Sequence, residues 1–152
     1  MKNDPQGKIA KAEHPGPLAI SIKPIWAWAI VYANKIIENR SWATKYRVVL
    51  YIHASAQQTN ADYLAARNWM LSQRLVTPSR FPRADQLAKG VFVGQTKIVE
   101  CRKTPRKLLP WEMPGDYSWL LAPTVPVPPI ICRGVQKLWE IPEGVLEELG
   151  ER

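Results

Sequence analysis

The chain predicts an α+β fold, a mixed β-barrel with helices covering its openings, and three observations lead there. Short runs rich in β-branched and aromatic residues recur along the chain, and between them stand a short apolar segment bounded as a helix and a longer one with helical spacing. The longest strand candidate holds a glycine in its interior, Gly94, where a bulge or bend of the kind that closes small barrels is expected. With 152 residues the chain fits one domain and is long enough to bury a sizeable core. Residues 18–152 are read as that single domain, and residues 1–17, polar and punctuated by Pro and Gly, as a flexible N-terminal tail.

Leu18-Ala-Ile-Ser-Ile22 begins the fold as a strand. Pro24 sets φ for the first turn of a short apolar helix, and Asn34 tolerates the left-handed conformation needed just past its end. Ile36 to Arg40 then reads as a strand with alternating faces, which puts Glu38 and Arg40 on one side and Ile37 and Asn39 on the other. Arg47 to Ala54 has the composition of a buried strand. Thr59-Asn-Ala-Asp62 carries capping chemistry ahead of a longer helix whose apolar positions run from Tyr63 to Leu75. Gly90 to Cys101 is the long strand, and a loop at Pro110 to Gly115 leads to the strand Tyr117 to Leu121. Val125 to Ile131 is broken by prolines and suits only an edge or rim. Lys137 to Ile141 supplies the last strand, and Pro142 opens a short acidic helix through Leu149.

The net charge of +8 is local. Residues 74–107 hold nine Lys or Arg against Asp85 and Glu100, whereas residues 108–152 hold three against seven acids. A basic region of this kind is read as a surface for RNA or another single-stranded nucleic acid, with a solvated basic face as the alternative. Cys101 and Cys132 lack the spacing of a metal motif, so no metal or cofactor is expected and the thiols are read as reduced. No run reaches the roughly 18 apolar residues that span a bilayer. With no signal-peptide core at the N-terminus either, a soluble cytoplasmic protein without membrane contact is expected, its oligomeric state open.

The candidate chemistry sits at the helix-to-strand corner. Lys35 is a compact cation able to hold a phosphate or polarise a carbonyl, and Arg40 is a planar fork able to grip a phosphate or base edge with two bonds. Glu38 between them can accept a proton from a water or ribose hydroxyl within about 3 Å. The same three residues could equally be an ion-pair network on a half-exposed strand. Seven tryptophans suit cores and base stacking alike. Trp42, Tyr46, Tyr117 and Trp119 are the stacking candidates, with the reservation that Tyr117 and Trp119 share one strand face and become core if that face is interior. Of Trp26 and Trp28, at most one should reach a cleft. His53, alone in a buried strand, reads as a second proton-transfer group or as a satisfied core histidine.

The segments Leu18–Ile30, Lys35–Trp42, Lys45–Arg47, Leu50–Ser55, Tyr117–Leu121 and Gly134–Trp139 resemble the ASCH domain, a branch of the PUA-like superfamily, over roughly residues 17 to 145. That family's signature is glycine, one residue, lysine, two residues, glutamate, one residue, arginine. Lys35, Glu38 and Arg40 match it, and Ala33 stands at the glycine position. The resemblance implies a PUA-like barrel that binds RNA or modified bases in a cleft, with Lys35, Glu38 and Arg40 as the carried-over catalytic or binding set. Trp42, Tyr46, Arg47, His53, Ser55, Tyr117 and Trp119 are then its substrate-binding candidates.

The resemblance leaves the activity open. The first reading is an RNA- or nucleotide-binding domain recognising an unpaired or modified base, with or without metal-independent ribonuclease activity, where Glu38 acts as base and Lys35 or Arg40 stabilises the charged phosphorane. A second is an amidohydrolase acting on a modified nucleoside such as N4-acetylcytidine. The family branch with that activity has a threonine where this chain has Glu38, so Thr44 or Ser41 would have to supply the hydroxyl. A third is a non-catalytic interaction module in transcriptional or translational regulation.

Overall fold

The computed structural model describes residues 16–151. The tail expected at 1–17 therefore lies, except for Gly16 and Pro17, outside the described residues. Strand β1 (Leu18–Ile22) leads into helix α1 (Pro24–Tyr32), β2 (Ile37–Arg40), β3 (Val49–Ala54) and helix α2 (Asn60–Ser72). After two single 3-10 turns come β4 (Val91–Lys103), β5 (Tyr117–Leu121), β6 (Val125–Ile131), β7 (Leu138–Glu140) and helix α3 (Glu143–Glu148). Among the described residues, no helix is long and apolar enough to cross a membrane.

The caps form as their chemistry requires. Asn34 takes φ 62° just past α1, so Ala33, at the signature's glycine position, is left at φ −121°, which any side chain tolerates. The Thr59 hydroxyl accepts from the Asp62 N–H at 2.9 Å while the Asp62 carboxylate accepts from the Thr59 N–H at 3.1 Å, a reciprocal capping box that starts α2.

The strands form one mixed sheet in the order β2-β5-β4-β3-β1-β7, with β6 paired on β4. β1 and β3 run parallel and the other ladders are antiparallel. Alternation then sorts the side chains. Ile20, Leu50, Ile52, Ile98, Trp119 and Leu138 fill the inner face, while Ala19, Tyr51, Phe92 and Trp139 fill the outer face with Val145, Leu146 and Leu149 from α3 and its end packed against them. Helix α1 is apolar all round because both its sides are covered: Ala27 and Ile30 join the inner core, and Ile25, Ala29 and Ala33 pack with Tyr63, Ala66 and Met70 of α2. Burying each such isoleucine stabilises the fold by about 1.5–3 kcal/mol.

The expected closed barrel is not what forms. β2 and β7 end the strand path without a ladder between them. They are the shortest strands, four and three residues, and offer little backbone to pair. The sheet still bends where glycine foretold it. Register shifts between Phe92 and Gly94 against β6, and a Cβ on Gly94 would stand 2.7 Å from Val31 Cγ2 of α1, so only glycine lets helix and strand approach this closely. A second shift between Ile98 and Glu100 marks where β4 begins to pair with β5.

Candidate functional site

Lys35, Glu38 and Arg40 converge. The turn at Asn34 hooks the Lys35 N–H back onto the Ala29 carbonyl at 3.1 Å and turns the lysine inward, where it is 5% exposed. Its ammonium donates to Glu38 Oε1 at 3.0 Å and to the Ile37 carbonyl, and lies 5.5 Å from the centre of the Trp26 ring. Glu38 Oε2 accepts from Arg40 Nε at 3.1 Å. Burial pushes the Glu38 pKa up, but the charges and hydrogen bonds of Lys35 and Arg40 outweigh it and hold the carboxyl below its ordinary value. Glu38 is thus an ionised group with both oxygens engaged. Arg40 meets it with Nε alone, and no described residue pairs with its terminal nitrogens.

The aromatic candidates divide. On the inner face, Glu38 stands opposite Trp119 and Arg40 opposite Tyr117. Trp119 is fully buried and donates its Nε1–H to the Trp42 carbonyl at 3.2 Å; the Trp42 ring stands edge-on to it at 4.8 Å. Trp42 and Tyr117 are half-buried and pack against the inner core that holds Trp119. Tyr46 is 3% exposed and belongs to the inner core. Arg47 turns its Nη1 onto the Thr44 and Tyr46 carbonyls and staples its own loop.

His53 and Ser55 are set apart from this cluster. His53 lies on the outer face between Phe92 and Trp139, with Nε2 2.7 Å from the Cys132 carbonyl and Nδ1 3.1 Å from Ser21 Oγ. A carbonyl only accepts, so Nε2 carries the proton and Nδ1 accepts from Ser21. Burial pushes the His53 pKa down and keeps the ring neutral. Ser55 joins Ser21 and His53 at the wall of an outer-face pocket of about 370 Å³. A second, mostly apolar pocket of about 290 Å³ is lined by Trp28 and Tyr32 of α1 with Val93 and Val127. Neither pocket is lined by Lys35, Glu38 or Arg40.

The basic region 74–107 is dispersed. Arg80 donates to the Tyr32 carbonyl, Arg83 pairs with Asp85, and Arg102 is taken up by Glu112. Lys103, Arg106 and Lys107 remain exposed near the open end of β4 and β5. Of the two tryptophans on α1, Trp26 is the one that presents its ring to Lys35. One contributor escaped sequence reasoning: Asn39 clamps the loop before β5 by accepting from the Met113 N–H at 3.0 Å and donating to the Met113 carbonyl at 3.2 Å. Alternation already placed Asn39 opposite to Glu38, but a partner 74 residues away leaves no local signal. Among the described residues, no group of His, Cys, Asp and Glu could hold a metal ion, and both cysteines are free.

A small α+β domain with an open mixed sheet, whose end strand and the turn before it carry a Lys–Glu–Arg cluster against aromatic rings, is the class that fold and geometry define. The sequence profile of the ASCH domain matches residues 20–122, more than half of the chain, and the chain belongs to the ASCH domain family. A serine-to-alanine mutant of the ZmASCH protein from Zymomonas mobilis has a similar fold, with a TM-score of 0.51 at 14% identity, covering 88% of this chain and 94% of that one. Comparison with curated proteins finds no match.

Proposed function

We propose that this chain is an RNA- or nucleotide-binding ASCH domain that recognises an unpaired or modified base beside β2 and β5, with Arg40 as the contacting cation and Lys35 and Glu38 as the groups that position it. Nucleic-acid binding is what family membership implies in general. The observation that carries the reading is the division of labour at Glu38. Each of its oxygens is committed to a cation, whereas the terminal nitrogens of Arg40 have no protein partner among the described residues. An efficient general base has a pKa near the working pH. Glu38 is held below its ordinary value with each oxygen already bridged to a cation, which favours recognition over phosphodiester or amide cleavage. Trp42 and Tyr117 supply the apolar surface on which a splayed base stacks.

The test is titration of a short unstructured RNA, in the presence of chelator, into the parent protein, Arg40→Ala and Glu38→Gln, with RNA integrity followed in parallel. Expected are binding by the parent, a loss on the order of tenfold or more in Arg40→Ala, and intact RNA throughout. Cleavage that disappears in Glu38→Gln would reassign the glutamate as a base, and absence of binding by the parent would overturn the proposal.

A further inference from the structure

Resting on that reading, we infer that a single-stranded RNA crosses strands β2, β5 and β4 along one rung, Arg40–Tyr117–Lys103, with a base on the tyrosine and the flanking phosphates on the two cations. The registers define this rung. Arg40 pairs with Tyr117, and Tyr117 pairs on its other side with Lys103. Residues paired across adjacent strands share a face, so guanidinium, phenol and ammonium project from the same side of the sheet. The rung is the shared edge of the three strands: β2 ends at Arg40, β4 ends at Lys103 and β5 begins at Tyr117.

What surrounds the rung isolates it as the accessible one. The next rung inward, Glu38–Trp119–Cys101, is roofed by the loop after β2. There the Thr44 N–H donates to Cys101 Sγ at 3.5 Å, and Trp119 Nε1–H donates to the Trp42 carbonyl. Glu38, the acid of that rung, is neutralised by Lys35 and Arg40. On the opposite face of the same strands, Asn39 and Arg102 are consumed by the loop before β5 through Met113 and Glu112. Lys103 is exposed, the Arg40 side chain is 23% exposed and Tyr117 is half-buried, so two cations flank a ring held at a fixed edge.

The spacing suits one nucleotide. Two inter-strand gaps of about 4.8 Å put the Arg40 and Lys103 backbones about 10 Å apart, within the reach of two long side chains that close on consecutive phosphates. The tyrosine between them offers a π-face to whichever base those phosphates bracket. A duplex keeps its bases stacked on one another and cannot present one to the ring, so the ligand is a single strand.

The experiment is the salt dependence of binding of a short unstructured RNA to the parent, Lys103→Ala, Tyr117→Phe, Tyr117→Leu and Lys97→Ala. Lys97, paired with Val49 on the outer-face side of the sheet, is the control. Lys103→Ala should lower the slope of log K against log salt by about 0.7, the value of one released phosphate contact on a single strand, while Lys97→Ala leaves it unchanged. Tyr117→Leu should weaken binding on the order of tenfold and Tyr117→Phe by less than about twofold. If Tyr117→Leu fails to fold, the Lys103 slope decides alone. An unchanged slope in Lys103→Ala, with Arg40→Ala still impaired, overturns the rung and leaves the proposed function standing. No binding by the parent overturns both.

Discussion

Glu38 and Glu112 lie against opposite faces of the same three strands, and each is a carboxylate buried against an arginine, yet they do different work. Glu38 accepts Arg40 through Nε, which leaves the terminal nitrogens without a partner among the described residues. Glu112 is fully buried at its side chain and accepts Arg102 Nη2 at 3.2 and 3.0 Å as well as the Leu109 N–H at 2.9 Å, which turns the guanidinium inward and leaves Arg102 Nε buried without a partner. Burial raises the pKa of both carboxyls, and their hydrogen bonds and cations pull both below the ordinary value. The lesson is one of orientation. The same ion-pair chemistry makes a clamp when the arginine spends a terminal nitrogen on the protein and leaves the terminal pair uncommitted when it engages through Nε alone.

Four measurements break or sharpen this contrast. The largest effect belongs to Glu112→Ala, which should destabilise the protein by about 3 kcal/mol in urea unfolding, since it strands a partly buried guanidinium and the Leu109 N–H. An unchanged midpoint would mean that Glu112 is no clamp. Next comes Glu38→Ala, expected to cost about 2 kcal/mol because Lys35, 5% exposed, then lacks its counter-charge. Unlike Glu112→Ala, it should also weaken RNA binding in the folded protein. Arg40→Ala should change stability by less than about 1 kcal/mol, as expected for a partly exposed pair, while binding falls. A large stability loss there would make Arg40 a second clamp.

The smallest effect is in the pH dependence, where the sign is shared and the pH window separates the histidine from the two glutamates. Unfolded glutamates titrate near about 4.3, and both Glu38 and Glu112 are held lower in the folded state. Their stabilisation is therefore complete above that value and is lost as pH falls through the folded ones. Glu38→Gln and Glu112→Gln should each flatten the acid limb below about pH 4. His53 is neutral by burial, its folded pKa below the ordinary value near 6.5, so its stabilisation is present above about pH 6.5 and declines as pH falls toward the folded value. His53→Gln should remove the slope that sets in below about pH 6.5 and leave the acid limb of the glutamates untouched. A slope that persists would assign it elsewhere.

Much of this was legible locally. Pro24 and Asn34 bounded α1, Thr59 and Asp62 formed the capping box, and alternation put Glu38 and Arg40 on one face with Ile37 and Asn39 on the other. The proline-broken strand is indeed an edge, paired only to β4. Tyr46, Arg47 and His53 were less legible, because a buried phenol, a loop staple and a satisfied histidine look like ligand groups until their partners are seen.

The sequence by itself determined each element and the parity of each side chain, because caps, turns and alternation act over a few residues. Tertiary structure alone decided that the sheet stays open between β2 and β7, that Glu112 captures Arg102, and that Arg40, Tyr117 and Lys103 fall into line. Those outcomes depend on strand order and register between segments far apart in the chain, where pairing is set by which apolar faces share a core and not by any neighbouring residue.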